Sequence, residues 1–284
     1  MSVFENSLKT RLEAGAPAIS MSVRLINSPT IVLAARAAGF HAFYIDLEHG
    51  TLTEAEAFRL CQAALPAGIT PLVRIGAQGA SAAAAAARAL ERGAQGIIVP
   101  RAATVAELAP ILEDCRFPPL GCRSLGRLVA HTGFSPRTTP DVAAEVDRAT
   151  LVIVMLESRA AVEQADDFAR LPGVDMLMLG SSDFLREAGA PGDYAAPALR
   201  KAITASAAAC RRHGKWFALA GVKSDPGLIA FAAGEGAMLV SAGSDLECVV
   251  GKLGEQFALV TDAVASATIA PNTGARAPAA LRRT

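Results

Sequence analysis

Short apolar runs alternate along this chain with longer segments whose apolar residues recur at helical spacing. The runs fall at residues 18–24, 42–47, 70–75, 96–100, 151–156, 176–179, 216–220 and 237–241. Each is apolar on both faces, as a parallel strand covered on both sides should be. The intervening segments carry helix start and stop signals. Ser28 precedes Pro29, and Gly39 follows the periodic stretch. Thr53 with Glu56, and Thr104 with Glu107, have the spacing of a capping box. The alanine-rich stretch 81–92 runs into Gly93, and 197–213 runs into Gly214. Further helices are expected over 224–233 and 245–266. Eight strand–helix repeats predict a closed (β/α)8 TIM barrel in the α/β class, with a doubly wound open sheet as the structural alternative.

The rhythm breaks over residues 117–139, rich in Gly, Pro, Arg and Ser, which reads as a functional loop inserted into the barrel. The expected organisation is one domain over 1–266 and a disordered tail over 267–284. Lys and Arg together number 27, as do Asp and Glu, so the chain has neither the basic footprint of a nucleic-acid binder nor a polybasic membrane patch. The five cysteines are scattered without CxxC spacing, which argues against a disulfide framework or a zinc site. No apolar leader or spanning segment is visible, and the expected location is the cytoplasm.

In a barrel, residues just past the carboxyl ends of the strands face the active site. That rule selects Asp46, Glu48 and His49 after the second strand, Arg74 at the end of the third, Glu157 after the fifth, and Ser181, Ser182 and Asp183 after the sixth. Carboxylates without thiolates suit a hard divalent ion, which can chelate a 2-oxo acid and act as a Lewis acid. A histidine can move protons near neutral pH, and an arginine can stabilise an oxyanion. Taken singly, each residue has a plainer reading: Arg74 as a structural ion pair, Glu157 and Asp183 as acids at helix N-termini, His49 as a packed loop residue. Their convergence on one end of one barrel favours chemistry.

The segments AGFHAFYIDLEHG, TPLVRIG, GAQGIIVPRA, PPLGCRS, VMLESRAAVEQADDFARLPGVDMLMLGSSDFLREAG and AGVKSD resemble the HpcH/HpaI aldolases, class II pyruvate aldolases of the phosphoenolpyruvate/pyruvate-barrel superfamily. The resemblance runs from about Phe4 to Val264. It implies that Glu157 and Asp183 bind a divalent ion (Mg2+, Mn2+ or Co2+), and that His49 acts as base with a metal-bound water. By the same resemblance Arg74 stabilises the enolate. Asp46 and Glu48 would stand behind these groups, and Glu91 would raise the basicity of His49. The backbone N–H of Ser182 would grip the substrate carboxylate. The reaction implied is cleavage of a 4-hydroxy-2-oxo acid to a pyruvate-type enolate and an aldehyde. The resemblance also implies a homo-oligomer, a hexamer built as a trimer of dimers that exchange their last helix.

Three departures from the family pattern bear on the substrate. Met155 stands where family members often carry Gln, GSSDF replaces the usual G-P-x-D-L, and the first strand reads SMSVRL. An apolar pocket floor at Met155, with Arg24 and Arg123 at the rim, predicts an acceptor with an apolar segment or a terminal carboxylate. The alternatives are an oxaloacetate decarboxylase or another enolate C–C bond-forming enzyme, a CoA-thioester lyase of the citrate-lyase type, and a non-catalytic binding barrel.

Overall fold

The inward and outward alternation of the strands closes a barrel in chain order. The structure is a computed structural model and describes residues 5–124, 126, 139–222 and 225–267. Its strands are β1 (Ala18–Val23), β2 (Ala42–Asp46), β3 (Thr70–Arg74), β4 (Gly96–Val99), β5 (Leu151–Leu156), β6 (Met176–Gly180), β7 (Trp216–Ala220) and β8 (Ala237–Ser244). All neighbours pair in parallel, and β8 closes on β1. The helices are α1 (Ser7–Glu13), α2 (Thr30–Ala37), α3 (Glu54–Ala67), α4 (Ala80–Glu91), α5 (Val105–Cys115), α6 (Thr139–Ala149), α7 (Arg159–Glu163), α8 (Ala165–Arg170), α9 (Ser181–Glu187), α10 (Pro197–Arg212), α11 (Pro226–Gly234) and α12 (Asp245–Ser266). The expected (β/α)8 barrel is the architecture observed.

Successive residues of each strand serve two cores. Phe43, Ile45, Val73, Ile97, Val152, Val154, Leu177 and Leu179 point outward into the layer between sheet and helices. Tyr44, Leu72, Ile98, Ile153, Met155, Met178 and Ala218 fill the barrel interior. This two-residue period is the strand pleat closed on itself. Leu8 and Leu12 of α1 join the interior cluster. Asn6 ties that helix down, its Nδ2 donating to the carbonyls of Gln95 (3.1 Å) and Ala149 (2.7 Å). The amino end of the barrel is thereby plugged, and the carboxyl end is left for chemistry.

Thr53 forms the reciprocal capping box with Glu56. The helix expected from Ser224 begins at Pro226, capped by Asp225. Of the expected loop over 117–139, residues 125 and 127–138 lie outside the described residues, as does the tail from 268, and α6 begins at Thr139. The chain divides into two compact units, residues 1–246 and 247–284. The first holds the barrel. The described part of the second is the remainder of α12 and Ala267. Among the described residues no helix is long and apolar enough to cross a membrane.

Candidate active site at the carboxyl ends of the strands

Continuing the inward period by one step on each strand brings polar groups over the open end of the barrel. On β2 the inward positions Ala42 and Tyr44 lead to Asp46, on β3 Leu72 leads to Arg74, and on β5 Ile153 and Met155 lead to Glu157. Asp46 is fully buried. It accepts from Arg74 through Nε (3.0 Å) and Nη2 (2.7 Å), and from Arg24 Nε (2.8 Å). It also accepts the backbone N–H groups of Glu48 (3.1 Å) and His49 (3.0 Å). Burial alone would raise its pKa. The hydrogen bonds and charge of Arg74 outweigh that, with the His49 N–H and Arg24 adding to them, and hold the carboxyl below its usual range. Asp46 is thus an ionised clamp that fixes Arg74 and shapes the loop carrying His49. The loop turns at Gly50, where a Cβ would stand 2.2 Å from the Asp46 carbonyl oxygen.

Glu48 lies beside the clamp. Its buried carboxylate is 2.7 Å from Arg101 Nε, 3.3 Å from Arg74 Nη1 and 3.8 Å from His49 Nε2. These are close charge contacts without hydrogen-bond alignment. The His49 side chain is partly exposed and lines a cavity of about 470 Å3 with Arg101, Glu157, Asp183 and Arg186.

Glu157 faces this cavity from the end of β5. Its Oε2 accepts the backbone N–H of Arg101 (2.9 Å), and its Oε1 lies 3.9 Å from Arg74 Nη1. Burial pushes its pKa up to about 7; the Arg101 N–H opposes this, and the negative charges of Asp183 and Glu48 add to it. Gly180, the last residue of β6, leaves Glu157 its space, since a Cβ there would meet Glu157 Cγ at 3.0 Å. Asp183 follows in the first turn of α9 and pairs with Arg186 (2.6 Å).

These residues fit a hard divalent cation. A buried carboxylate that burial and like charge drive toward its protonated form is a group whose charge a cation would stabilise. Both nearby donors are carboxylate oxygens. Among the described residues no third His, Cys, Asp or Glu completes a metal cluster, so the remaining positions would fall to substrate and solvent oxygens, as is usual for Mg2+.

Ser181 is fully buried, its hydroxyl without a hydrogen-bond partner among the described residues, and Ser182 Oγ lies 3.3 Å from the Tyr194 hydroxyl. Both begin a helix, where backbone N–H groups lack intrahelical acceptors. Gly221, at φ 75°, keeps the space over them clear: a Cβ there would be 2.9 Å from Ser182 Oγ. Met155 is buried in the interior layer beneath, its sulfur 3.7 Å from Arg74 Nη1.

Two expected residues lie elsewhere. Glu91 is the last residue of α4, which descends from the end of β3 to the start of β4, so within one chain it is not brought to His49. Arg123 does not reach the pocket rim. Its backbone N–H donates to the Arg116 carbonyl (2.9 Å), and Arg116 pairs with Asp175, which precedes β6 at the amino end of the barrel. The guanidinium of Arg123 is buried there, 4.7 Å over the Phe117 ring. Its segment folds back beneath α5 instead of reaching upward. Arg101, in contrast, is a site residue that the strand-end rule should have selected after β4.

A closed parallel barrel with acids, arginines and a histidine gathered at its carboxyl end is the plan of a barrel enzyme. The chain belongs to the HpcH/HpaI aldolase/citrate lyase family, whose profile matches residues 23–251. It is therefore a carbon–carbon lyase. It is 37% identical over 223 residues (78% of this chain, 82% of the relative) to 4-hydroxy-4-methyl-2-oxoglutarate aldolase tasA of Hapsidospora irregularis. It is 29% identical over 211 residues (74% and 78%) to 4-hydroxy-2-oxo-heptane-1,7-dioate aldolase of Salmonella arizonae. The crystal structure of an HpcH/HpaI aldolase from Desulfitobacterium hafniense DCB-2 superposes with a TM-score of 0.85 at 24% identity, covering 91% of this chain and 98% of that one, a likeness of fold.

Proposed function

We propose that the protein is a divalent-metal-dependent aldolase that cleaves 4-hydroxy-2-oxo acids to a pyruvate-type 2-oxo acid and a carbonyl product, and runs the reverse addition. The observation that carries this reading is the meeting of Glu157, Asp183 and His49 around one cavity at the open end of the barrel, with the buried Arg74 3.9 Å from Glu157. The names of the two aldolase relatives point to the same substrate class.

Glu157 and Asp183 would hold the cation, which when bound supplies Lewis-acid polarisation of the 2-oxo acid. His49 takes the proton of the 4-hydroxyl. The C3–C4 bond then breaks, its electron pair passing into the C2–C3 enolate as C4 becomes a carbonyl. Arg74, rigidly held by Asp46, stabilises the enolate oxygen. Proton return from His49 to C3 completes the 2-oxo acid. The N–H groups of Ser181 and Ser182 orient the substrate carboxylate, and Met155 gives the floor an apolar surface.

The test is cleavage of 4-hydroxy-2-oxo acids with Mg2+, Mn2+ or Co2+. Turnover is expected to vanish in excess EDTA and in Glu157→Ala and Asp183→Ala variants that remain folded. Full activity in any of these would overturn the assignment.

We further propose a homo-oligomer in which a second copy covers the apolar face of α12. Within that helix Val250, Leu253, Phe257, Val260 and Val264 are exposed and recur at helical spacing. A hexamer built as a trimer of dimers is the assembly expected from the family.

A further inference from the structure

We propose that Arg101 is a positioning residue for Glu157: its left-handed backbone aims its N–H at that carboxylate, and its side chain, braced on Glu48, holds the backbone there. This rests on the reading of Glu157 as a ligand of the cation. Ile97 and Val99 of β4 point into the outer layer, and Ile98 points into the barrel. Continued regularly, the strand would turn Pro100 inward and Arg101 away from the site. The backbone breaks that alternation. Arg101 has φ 53°, and among the described residues no other non-glycine residue has positive φ. An L residue there is strained.

The strain has a visible result. The Arg101 N–H donates to Glu157 Oε2 at 2.9 Å, and among the described residues this is the one hydrogen bond that Glu157 makes. Glu157 Oε1 lies 3.9 Å from Arg74 Nη1, too far to fix the carboxylate by itself. The orientation of Glu157 therefore depends on the direction of a single backbone N–H.

A glycine would supply the same N–H without strain, so the arginine side chain must offset the cost. Its Nε lies 2.7 Å from Oε1 of the buried Glu48, a contact that reaches from the end of β4 across to the end of β2. The chain is held on both sides of Arg101. Val99 pairs with Val154 of β5, and Gln164 Nε2 donates to the Ala103 carbonyl (2.6 Å). With both flanks fixed, a relaxing φ is taken up in the adjoining peptide planes, the first of which carries the N–H. Side chain and backbone thus form one brace between Glu48 and Glu157.

Calorimetric titration with Mn2+ of the wild type, Arg101→Gly and Arg101→Ala tests this. Both variants lose the guanidinium, so any effect of its charge on the cation is common to them. They differ in the backbone. Glycine adopts positive φ freely, whereas alanine keeps the steric cost and lacks the Glu48 contact that offset it. The alanine variant is expected to bind Mn2+ about 3- to 10-fold more weakly than the glycine variant, the range of one net hydrogen bond. A merely structural arginine would affect the two alike. Arg101→Asn and Arg101→Gln form a second pair, used if either first variant does not fold, because Asn tolerates the left-handed region and Gln does not. Equal affinities within a pair, or tighter binding by the alanine or glutamine member, overturn the proposal. Glu157→Ala is titrated beside them. If it binds Mn2+ as the wild type does, or the wild type binds none, the cation reading of Glu157 fails and the role of Arg101 with it. If Glu157→Ala loses binding while the members of a pair agree, only the role of Arg101 fails.

Discussion

At the scale of single residues, the clearest division of labour is between Asp46 and the groups it holds. Asp46 receives two guanidinium groups and two backbone N–H groups while fully buried, so it organises the site instead of exchanging protons. Asp46→Asn would leave Arg74 buried without its bidentate anion. The expected loss is about 3–5 kcal/mol of stability in urea unfolding, as for other broken buried pairs. The sign with pH follows from its lowered pKa. Its contribution is fully present above the unfolded carboxylate value of about 3.9, and is lost as pH falls through the lower folded value. The Asn variant should show a correspondingly flatter acid limb. His49, half-exposed in the cavity, has the opposite character. His49→Ala should leave the fold intact and lower kcat by about 10²- to 10⁴-fold, and a kcat within about threefold of wild type would remove it as the base. The sequence made these residues legible because strand ends in a barrel are chemically marked positions. Arg101 escaped because its orientation comes from a left-handed backbone that no motif announces. Arg123 was misplaced because a Gly- and Arg-rich segment carries no signal of which end of the barrel it packs under.

At the scale of elements, the eight strands and most of their helices were readable from apolar runs, caps and stops. The short helix α1 was not, since Leu8 and Leu12 give only one helical repeat. Helix α6, which begins where the expected loop ends, was not read either, because its sequence opens on the Thr139–Pro140 pair. Junctions between elements set the site as much as the elements do. At the turn from β6 into α9, Gly180 leaves Glu157 the space that a methyl group would take. Gly180→Ala would press its Cβ to 3.0 Å from Glu157 Cγ and 3.6 Å from Met155 Cγ. The carboxylate must then shift by a few tenths of an ångström. We expect a folded protein whose Mn2+ affinity falls by about tenfold, the lower range for disturbing the support of a ligand. Unchanged affinity by calorimetry would show that Glu157 is not held to that tolerance.

At the scale of the whole molecule, the exposed large apolar side chains of the barrel unit, such as Leu33 and Leu120, are scattered, while those of the unit that begins after Leu246 line up along one helix. Val250, Leu253, Phe257, Val260 and Val264 recur at three- and four-residue steps, and Leu253 and Phe257 are 65% and 75% exposed. A stripe of this length on one helix needs a partner surface, because each large apolar side chain left in water forgoes about 1.5–3 kcal/mol of burial. A second copy of the chain is the partner we propose, and closed symmetric assembly is the common solution for such faces. Light scattering is therefore expected to give a mass that is a multiple of 29.2 kDa. Replacing Leu253 and Phe257 together by Glu would bury two charges in that contact, and should shift the mass toward the single chain while circular dichroism still reports the barrel. A wild-type mass of one chain across micromolar concentrations would refute the assembly. The cavity proposed as the active site is lined by residues before 247, so that result would leave the aldolase reading standing.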